Sequence, residues 1–304
     1  MFRSGYVAIV GSPNVGKSTL LNAILDQKIA AVSPKPQTTR HRILGIKTTD
    51  QAQILFLDTP GIHKPHRSLN EYMMEIAHAT FDDADLFLFV LEPFRNPSET
   101  EKEIYEKLLS KNKPILLVVN KAEQVKPEQL GLVVQKCREL FQATALVSIS
   151  ALNRIGLVEL ERVIVPLLPE GPPYYPADQV TDQTERVLVA ETIREKIMEL
   201  TRQEVPYSVA VLIEKFQEPE DSETPQKKNT KRITRIRAAI VVEKDSQKII
   251  LVGKAGAMIK KIGETSRKEI EALLGNQVFL ELFVRVEKEW TRNALKVREF
   301  ETNS

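Results

Sequence analysis

The first residues that could carry out chemistry form a glycine-rich loop near the N-terminus. Residues 11–18 read Gly-Ser-Pro-Asn-Val-Gly-Lys-Ser, after an apolar run and before a helical pattern, and fit G-x-x-x-x-G-K-S. Backbone N–H groups in such a turn surround phosphate oxygens, Lys17 adds charge at the β- and γ-phosphates, and the Ser18 hydroxyl is an oxygen ligand for Mg²⁺. The pattern therefore predicts a nucleotide site. The predicted contacts are Gly11, Ser12, Pro13, Asn14, Val15, Gly16, Lys17, Ser18 and Thr19.

Three further loops follow short apolar runs and carry polar residues of matching chemistry. In the first, Asp58 can hold a Mg²⁺-bound water and the N–H of Gly61 can contact a γ-phosphate. Ligands bind at the carboxyl ends of parallel strands, so we expect these loops to meet at one edge of a sheet. The loops are Asp58-Thr59-Pro60-Gly61-Ile62, Asn120-Lys121-Ala122-Glu123 and Ser150-Ala151-Leu152.

In this order the loops resemble the signature of the translation-factor-like GTPases. The resemblance implies that Asn120, Lys121 and the acid that follows bind guanine, and that the backbone around Ser150-Ala151 contacts guanine O6. A carboxylate can accept hydrogen bonds from N1–H and N2–H₂ of guanine together, whereas adenine offers neither donor. The chain has Glu123 where the family has aspartate. We expect selectivity for guanine to persist, with a changed reach of the carboxylate.

The segment between the first two motifs has the position of the first switch in this resemblance. A threonine there completes the Mg²⁺ shell once a γ-phosphate is bound; Thr38 and Thr39 are both available, and we favour Thr39. The second switch would be residues 61–70, a polar stretch suited to ordering and disordering. The predicted residues of the first switch are Gln37, Thr38, Thr39, Arg40 and His41, and those at Mg²⁺ are Ser18, Thr39 and, through water, Asp58.

The resemblance implies hydrolysis of GTP to GDP and phosphate, and Ile62 bears on the rate. GTPases such as Ras have a glutamine here that orients the attacking water. Isoleucine cannot hydrogen-bond water, so we expect slow intrinsic hydrolysis, or a water held by backbone groups or an ion. Asn14 is a candidate ligand for that ion, because in related GTPases with this loop it coordinates K⁺. The alternative is that Asn14 only caps the loop.

A second glycine pair lies in a strongly basic part of the chain. Residues 225–268 carry 13 basic and 3 acidic side chains, a local charge of +10, whereas residues 1–180 carry 20 of each. A G-x-x-G turn before a helix resembles the KH loop, where the backbone approaches RNA closely. The alternatives are a solvated charged face and a helix that merely starts after glycine. The resemblance implies RNA contacts by Gly253, Lys254, Ala255, Gly256, Lys260 and Lys261.

The elements that position these residues follow from hydrophobic periodicity. Between Tyr6 and Leu168, apolar runs alternate with helical stretches, which predicts an α/β domain with a mostly parallel sheet covered by helices on both faces. The run Arg42–Thr48 turns tightly into Ile54–Leu57, so this edge is expected to be antiparallel. The other predicted strands are Tyr6–Val10, Leu86–Leu91, Ile115–Val119 and Ala145–Ile149.

Five prolines within Pro166–Pro176 predict a stiff linker. We therefore expect a GTP-binding domain over 1–168, a linker over 169–180, and an α+β type II KH domain with a C-terminal tail over 181–304. The apolar run Lys248–Val252 is expected to be a strand directly before the G-x-x-G turn. The other predicted elements are a helix at Thr184–Gln203, strands at Ser208–Phe216 and Ile233–Val242, a helix at Ala257–Leu274 and a strand at Val278–Glu287.

Three arginines, Arg232, Arg235 and Arg237, cluster at one predicted strand, and Arg235 and Arg237, two residues apart, share a face of it. They either widen the basic surface or keep that face soluble. The remaining composition is that of a soluble globular protein, with 42% hydrophobic and 28% charged residues among 304 and a net charge of +2. A single cysteine, the absence of a secretory signal and the lack of a membrane-spanning run exclude disulfide-framed, secreted and integral-membrane proteins.

The two modules, in this order, resemble the Era family of bacterial ribosome-assembly GTPases, of the TrmE-Era-EngA type. The resemblance implies a cytoplasmic monomer that binds GTP and GDP, Mg²⁺ and a candidate K⁺, the 3′ end of 16S ribosomal RNA and the 30S subunit, with peripheral membrane association left open. One alternative is a regulatory GTPase whose main partner is a protein or a membrane surface. Another is a P-loop ATPase or nucleoside kinase with an accessory basic domain, which the Asn120–Glu123 motif disfavours.

Overall fold

The computed structural model describes residues 1–35, 38–61, 68–93, 96–201, 205, 208–218 and 233–302. The chain divides into two compact units, the first formed by Met1–His66 with Met73–Gln183 and the second by Arg67–Tyr72 with Thr184–Ser304. The domain limits expected from the sequence, 1–168, 169–180 and 181–304, stay predictions. No helix in the described parts of the chain is long and apolar enough to cross a membrane.

A six-stranded sheet forms the centre of the first unit, in the order β2-β3-β1-β4-β5-β6. Its strands pair in parallel except for β2 with β3, so the antiparallel edge predicted from the tight turn is confirmed. Strands β3, β4 and β5 are buried along their whole length, as continuous apolar runs require. The strands are β1 (Arg3–Val10), β2 (Ile43–Thr48), β3 (Ala52–Asp58), β4 (Leu86–Leu91), β5 (Ile115–Val119) and β6 (Ala145–Ser148).

Helices follow the strands of the first unit as the alternating pattern predicts. The helix α3 begins with a capping box in which Ser98 accepts from the N–H of Glu101 and the Glu101 carboxylate accepts from the N–H of Ser98. Its buried face joins a core that includes Phe89, Phe141 and Cys137. The helices are α1 (Lys17–Leu25), α2 (Ser68–Asp83), α3 (Glu99–Leu109), α4 (Pro127–Leu140) and α5 (Leu157–Ile164).

The proline-rich segment is hydrogen-bonded to the first unit. The side-chain oxygen of Gln53 accepts from the N–H groups of Tyr174 and Tyr175, and the Ser4 hydroxyl donates to the carbonyl of Gly171 at 3.0 Å. Thr181 donates to the carbonyl of Leu44 at 2.6 Å. These bonds tie the segment to β1, β2 and β3, so it packs as part of the first unit.

The second unit has a three-stranded sheet, in which β7 pairs antiparallel with β8 and β8 pairs parallel with β9. A core of apolar side chains lies between one face of this sheet and the helices, and it includes Ile193, Ile240 and Ile270. The elements are α6 (Glu185–Leu200), β7 (Ala210–Gln217), β8 (Ile233–Val242), α7 (Asp245–Val252), α8 (Ala257–Leu274), β9 (Gln277–Val286) and α9 (Ala294–Thr302). Arg232 lies outside the residues that the structure describes.

The strand expected at Lys248–Val252 is wrong, because these residues belong to the helix α7. The side-chain oxygen of Gln247 accepts from the N–H groups of Glu243 and Lys244, at 2.9 and 3.0 Å, which satisfies free donors at the start of the helix. Gln247 and Leu251, four residues apart, are buried, whereas Ile249 is exposed. A short apolar run fits a strand or a helix equally well, and here the helical start decides.

Candidate functional site

The glycine-rich loop, residues 11–16, joins β1 to α1 and is called the phosphate loop below. Gly16, which caps α1, has φ +97°, and a Cβ atom there would collide with the Asn120 side-chain nitrogen. A Cβ on Gly11 would lie 2.6 Å from the carbonyl oxygen of Val90. Both glycines are therefore required by close packing, and the loop's backbone is held in one shape.

Lys17 and Asp58 are buried together at the base of this loop. The Lys17 ammonium donates to the carbonyls of Gly11 and Ser12, both at 3.1 Å. Burial lowers the pKa of Lys17 to about 8, and the attraction of Asp58 opposes that shift. Burial raises the pKa of Asp58 to about 6, against the effect of Lys17 and the hydrogen bonds that the carboxylate accepts. Burial removes the water that would solvate both charged groups. A bound phosphate would stabilise the charge of Lys17, and a bound divalent cation would stabilise the charge of Asp58.

The hydroxyl oxygens of Ser18 and Thr39 lie close to one oxygen of the Asp58 carboxylate. The Ser18 hydroxyl donates to Asp58 Oδ2 at 2.6 Å and lies 2.8 Å from Thr39 Oγ1, which donates to the same carboxylate oxygen at 3.4 Å. The second oxygen of Asp58 is buried and has no hydrogen-bond partner in the described structure. Hydroxyl and carboxylate oxygens are the ligands that Mg²⁺ prefers, and the group fits that ion.

Thr39, and not Thr38, lies at this oxygen cluster. The Thr38 hydroxyl donates to the carbonyl of Lys35 at 2.7 Å. Arg40 is fully buried, and His41 lies in a bend two residues before β2. Gln37 of the predicted first switch lies outside the described residues, and so do Ile62 and most of the predicted second switch.

The loop after β5 connects the phosphate loop to the loop after β6. The Asn120 amide donates to the carbonyl of Val15 at 2.9 Å, and its oxygen accepts from the N–H of Ala151 at 3.0 Å. Lys121, at φ +62°, donates to the carbonyl of Asn14 at 2.7 Å. One buried asparagine thus fixes the relative positions of three of the four predicted motifs.

The outer part of this predicted base site is open to solvent. Glu123 lies exposed in a single 3₁₀ turn, Ala122–Gln124, and Leu152 is exposed. The Ser150 hydroxyl accepts from the N–H of Asn153 at 3.1 Å, which shapes the loop from within. The carboxylate at 123 is therefore free of packing that would hold it away from a base.

Glu92 contacts this site and was not among the residues predicted from the sequence. Glu92, the residue directly after β4, forms an ion pair with Lys121 and is mostly buried. An acid that ends an apolar strand is the same signal that identified Asp58, and it could have identified Glu92. The pair holds the Lys121 side chain across the cleft beside Asn14.

The phosphate loop and the segments 31–34 and 38–39 surround a cleft of about 300 Å³, whereas Glu123 and residues 150–152 lie outside its lining. Gly61 lies against Pro13 there, where a Cβ would come within 2.9 Å of the Pro13 backbone. The Asn14 amide, at the mouth of the cleft, donates to the carbonyl of Pro34 at 3.0 Å. The cleft is lined by Pro13, Asn14, Gly16, Lys17, Ser18, Thr19, Ala31, Val32, Ser33, Pro34, Thr38, Thr39, Gly61 and Lys121.

The G-x-x-G turn of the second unit joins α7 to α8. Gly253 has φ +72° and Gly256 has φ +78°, and a Cβ on Gly256 would meet nothing within 4 Å. Ala255, between them, also takes the left-handed conformation, at φ +50° and ψ +31°. Lys254 is exposed at the turn. The turn is a protruding element, and its backbone is accessible.

Comparison with known proteins covers both units. A family model described as 50S ribosome-binding GTPase matches residues 6–121, and a KH domain model matches residues 204–291. GTPase Era of Geotalea uraniireducens (strain Rf4) is 48% identical over 299 residues, which are 98% of this chain and 97% of that protein. This chain belongs to the Era family of GTPases.

Two solved structures of Era match this chain over nearly its full length. One is Aquifex aeolicus Era, in a variant form bound to GDP and AlF₄⁻, with a TM-score of 0.91 and 41% identity over 98% of this chain and 99% of that one. The other is Era in complex with MgGDPNP and nucleotides 1506–1542 of 16S ribosomal RNA, with a TM-score of 0.91 and 42% identity over 99% of each chain. The fold expected from the sequence, a P-loop GTPase domain followed by a KH domain, is confirmed.

Proposed function

We propose that this member of the Era family is a GTPase that binds the 3′ end of 16S ribosomal RNA and acts as a nucleotide-gated switch in assembly of the 30S subunit. The observation that carries the proposal is the likeness, over 99% of both chains, to an Era structure that holds MgGDPNP and a 3′ segment of 16S ribosomal RNA. Members of this family are GTPases, so the reaction is hydrolysis of GTP. The residues described above supply the parts that this chemistry needs.

Lys17 and the backbone N–H groups of residues 14–19 bind the β- and γ-phosphates in this proposal. Ser18 and Thr39 donate oxygen ligands to Mg²⁺, and Asp58 holds a water of the metal shell. Bound Mg²⁺ neutralises charge that develops on the phosphate oxygens during transfer. Gly61, close-packed against Pro13, contributes its N–H to the γ-phosphate in this proposal.

Asn120 and Glu123 give the site its preference for guanine in this proposal. Asn120 is fixed by hydrogen bonds to Val15 and Ala151, so it contributes mainly by holding the loops in register. The Glu123 carboxylate then accepts from N1–H and N2–H₂ of the base. Because Glu123 is exposed, its extra methylene is accommodated by a change of side-chain rotamer, without repacking.

We propose slow intrinsic hydrolysis, because Ile62 cannot orient a water. Asn14 is the proposed K⁺ ligand, at φ +65° on the exposed rim of the phosphate loop. Single-turnover hydrolysis in matched KCl and NaCl buffers tests this role, with Asn14→Asp as the comparison variant. Equal rates in the two salts would reduce Asn14 to a loop cap, which its bond to Pro34 already provides.

The turn 253–256 is the proposed RNA contact of the second unit. Two glycines let the backbone approach a sugar-phosphate chain, and α8 begins directly behind them. Lys254, Lys260 and Lys261 are exposed on the turn and on the first turns of α8. We also propose a cytoplasmic monomer, which sedimentation at several concentrations tests; flotation with anionic vesicles tests the peripheral membrane fraction.

Gating is the step at which the two activities meet. A γ-phosphate and Mg²⁺ order the segment that carries Thr39, and the preference of GTP for that arrangement limits how far RNA affinity can change. The decisive measurement is RNA affinity of the full chain with GDP and with GDPNP, against a scrambled RNA, at one stated salt concentration. Sequence-preferring binding that is tighter with GDPNP supports the proposal. Equal, weak binding in both states, or equal binding of the scrambled RNA, would overturn it.

A further inference from the structure

The outer face of the second unit's sheet, opposite the helical core, is covered over only one half. There Val241 is fully buried, and the segment after β9 brings Trp290 and Phe300 into the interior. Arg285 lies with its guanidinium carbon 5.9 Å from the centre of the Phe300 ring. The helix α9 thus covers the half of the outer face that carries Val241 and Arg285.

The other half of this face carries a repeated pairing of arginine with phenylalanine. Arg235 and Phe279 are neighbours across β8 and β9, and the Arg235 guanidinium carbon lies 5.6 Å from the centre of the Phe279 ring. Arg237, two residues further along, lies 5.0 Å from the centre of the Phe283 ring. Lys215 is the cross-strand neighbour of Arg237 on β7. We call these five residues the arginine–phenylalanine face.

The exposure of this face does not fit a surface that serves solubility alone. Phe279 is 54% exposed on the outer face of β9, two residues after the strand begins, at a position where a polar residue would be expected. An arginine near an aromatic ring is held by a cation–π attraction, and the planar guanidinium still has several N–H groups with which to bind a partner. The arrangement exposes an aromatic surface together with cationic donors.

The charge of the face favours an anionic partner. Lys215, Arg235 and Arg237 are exposed, and the acids beside them are Glu214 and Glu281, 3.7 and 3.9 Å from Arg237. Both acids contact Arg237, and no acid in the described residues forms an ion pair with Arg235. Arg235 with Phe279 is therefore the part of the face where a phosphate and a flat base can bind together.

We propose that the arginine–phenylalanine face binds a second segment of RNA, with an unstacked base against Phe279 and phosphates at Arg235 and Lys215. Aromatic rings with neighbouring cations are how sheet surfaces bind single-stranded nucleic acid without strict sequence preference. The G-x-x-G turn belongs to the helices that cover the opposite face of this sheet. The inference rests on the proposed function, and it adds a contact that a short oligonucleotide held at the turn cannot reach.

The test compares a long and a short RNA on the full chain with GDPNP. The long probe is a copy of nucleotides 1506–1542 of 16S ribosomal RNA, the segment bound in the related structure. The short probe is its 3′-terminal piece of about ten nucleotides, longer than the four that a KH loop clamps. Phe279→Ala is expected to weaken binding of the long probe about 5- to 30-fold and to leave the short probe within twofold.

Salt dependence and a conservative variant separate the two parts of the contact. Arg235→Ala is expected to weaken the long probe about 5-fold and to reduce the slope of log affinity against log salt by about 1, because one phosphate contact is lost. Phe279→Ala leaves that slope unchanged. Phe279→Trp restores affinity, and its fluorescence is quenched when the long probe binds.

Two variants on exposed positions of the same unit serve as controls. Arg186→Ala removes a cation from the first turn of α6, and Leu295→Ala removes a side chain that is 81% exposed on α9. Both are expected to leave binding of either probe within twofold. Thermal unfolding of each variant confirms that the unit remains folded, as the exposure of Phe279 and Arg235 leads us to expect.

The outcomes distinguish this inference from the function on which it rests. If Gly256→Asp weakens both probes while the variants at 235 and 279 bind normally, the face is not an RNA site and the proposed function stands. If Gly256→Asp has no effect while Phe279→Ala weakens the long probe, the turn is not the contact but the face is. If the variants bind both probes normally and lose only flotation with phosphatidylglycerol vesicles, the face is a membrane surface and the inference is wrong.

Discussion

Two glycine-rich turns, one in each unit, each end at a helix whose N-cap is a glycine in the left-handed region. Gly16 has φ +97° and Gly256 has φ +78°. Around Gly16 the chain is crowded, because an added Cβ would collide with the Asn120 side chain. Around Gly256 an added Cβ would meet nothing within 4 Å. The same local conformation therefore serves a closed pocket in one unit and an open contact surface in the other.

The difference shows how each turn would treat a phosphate. In the first unit the cation, Lys17, is buried beside Asp58, so charges act at short range and are little screened by salt. In the second unit the lysines at 254, 260 and 261 are exposed, so their affinity for the phosphates of a nucleic acid falls steeply as the salt concentration rises. A small polyphosphate suits the first turn, and the backbone of a long chain suits the second.

The largest expected effect breaks the crowded turn. Gly16→Ala places a Cβ against the Asn120 amide, and alanine disfavours the backbone angle of φ +97° that Gly16 has. We therefore expect GTP affinity to fall at least about 100-fold. Fluorescent GDPNP titration measures it. Gly131→Ala, in the interior of α4 with open space around it, is the matched control and should bind GTP normally. Normal GTP binding by the Gly16 variant would contradict the importance of packing at this turn.

The next effect concerns the open turn. Gly256→Asp adds bulk and negative charge where a sugar-phosphate chain would pass, and we expect RNA affinity to fall about 10- to 100-fold with GTP affinity unchanged. Gly275→Asp is the control, since Gly275 ends the same helix at φ +68°, also with nothing within 4 Å. Both variants carry the same backbone strain. Equal losses of RNA affinity would show that strain, and not contact, is responsible.

Acidity distinguishes the buried pair from exposed lysines. The pKa of Asp58 is raised to about 6, so in nucleotide-free protein its carboxylate, the form that holds a cation, is lost below about pH 6. The pKa of Lys17 is lowered to about 8, so its charge is lost above about pH 8. We expect Mg²⁺-dependent GTP affinity to be greatest between these values and to fall about 10-fold per unit on the acid side. Isothermal titration at fixed ionic strength measures this; Asp58→Asn should lose the acid limb, and a flat profile for the unsubstituted chain would contradict the account.

The smallest effect sharpens the comparison within the open turn. Ala255 takes the left-handed conformation that costs a residue with a Cβ about 1–2 kcal/mol, and glycine would remove that cost at some loss of entropy. We expect Ala255→Gly to stabilise the second unit by about 0.5–1 kcal/mol in urea unfolding, with RNA affinity within twofold. A destabilised variant would show that the Ala255 methyl group makes favourable contacts in the turn.

The nucleotide motifs could be predicted from the sequence because their chemistry is local. A strand, a turn of fixed length and a helix place N–H groups, an ammonium and a hydroxyl around one point, whatever the rest of the chain does. The parallel sheet follows from continuous apolar runs, and its antiparallel edge follows from the short turn at residues 49–51. The glycines at 253 and 256 likewise indicated a turn at which a helix begins, and α8 begins there.

Two features depended on distant contacts. Two adjacent threonines are equivalent by type, and only the meeting of Thr39 with Ser18 and Asp58, 21 and 19 residues away, separates it from Thr38. The run 248–252 was ambiguous by its apolar pattern. It is helical because Gln247 satisfies donors at the helix start while its amide donates to Ser208 Oγ at 2.7 Å.

The alternating arginines show the same division between sequence and tertiary structure. The sequence by itself determined that Arg235 and Arg237 share one face of a strand, because strand side chains alternate with a period of two. Only the tertiary structure decided which face this is, since the apolar residues between them pack on the helices. It also decided which strand lies alongside, because parallel pairing of β8 with β9 brings Phe279 and Phe283 to the arginines from more than forty positions along the chain. Local chemistry is encoded in spacing, whereas the partner of each residue is fixed by packing that no local pattern contains.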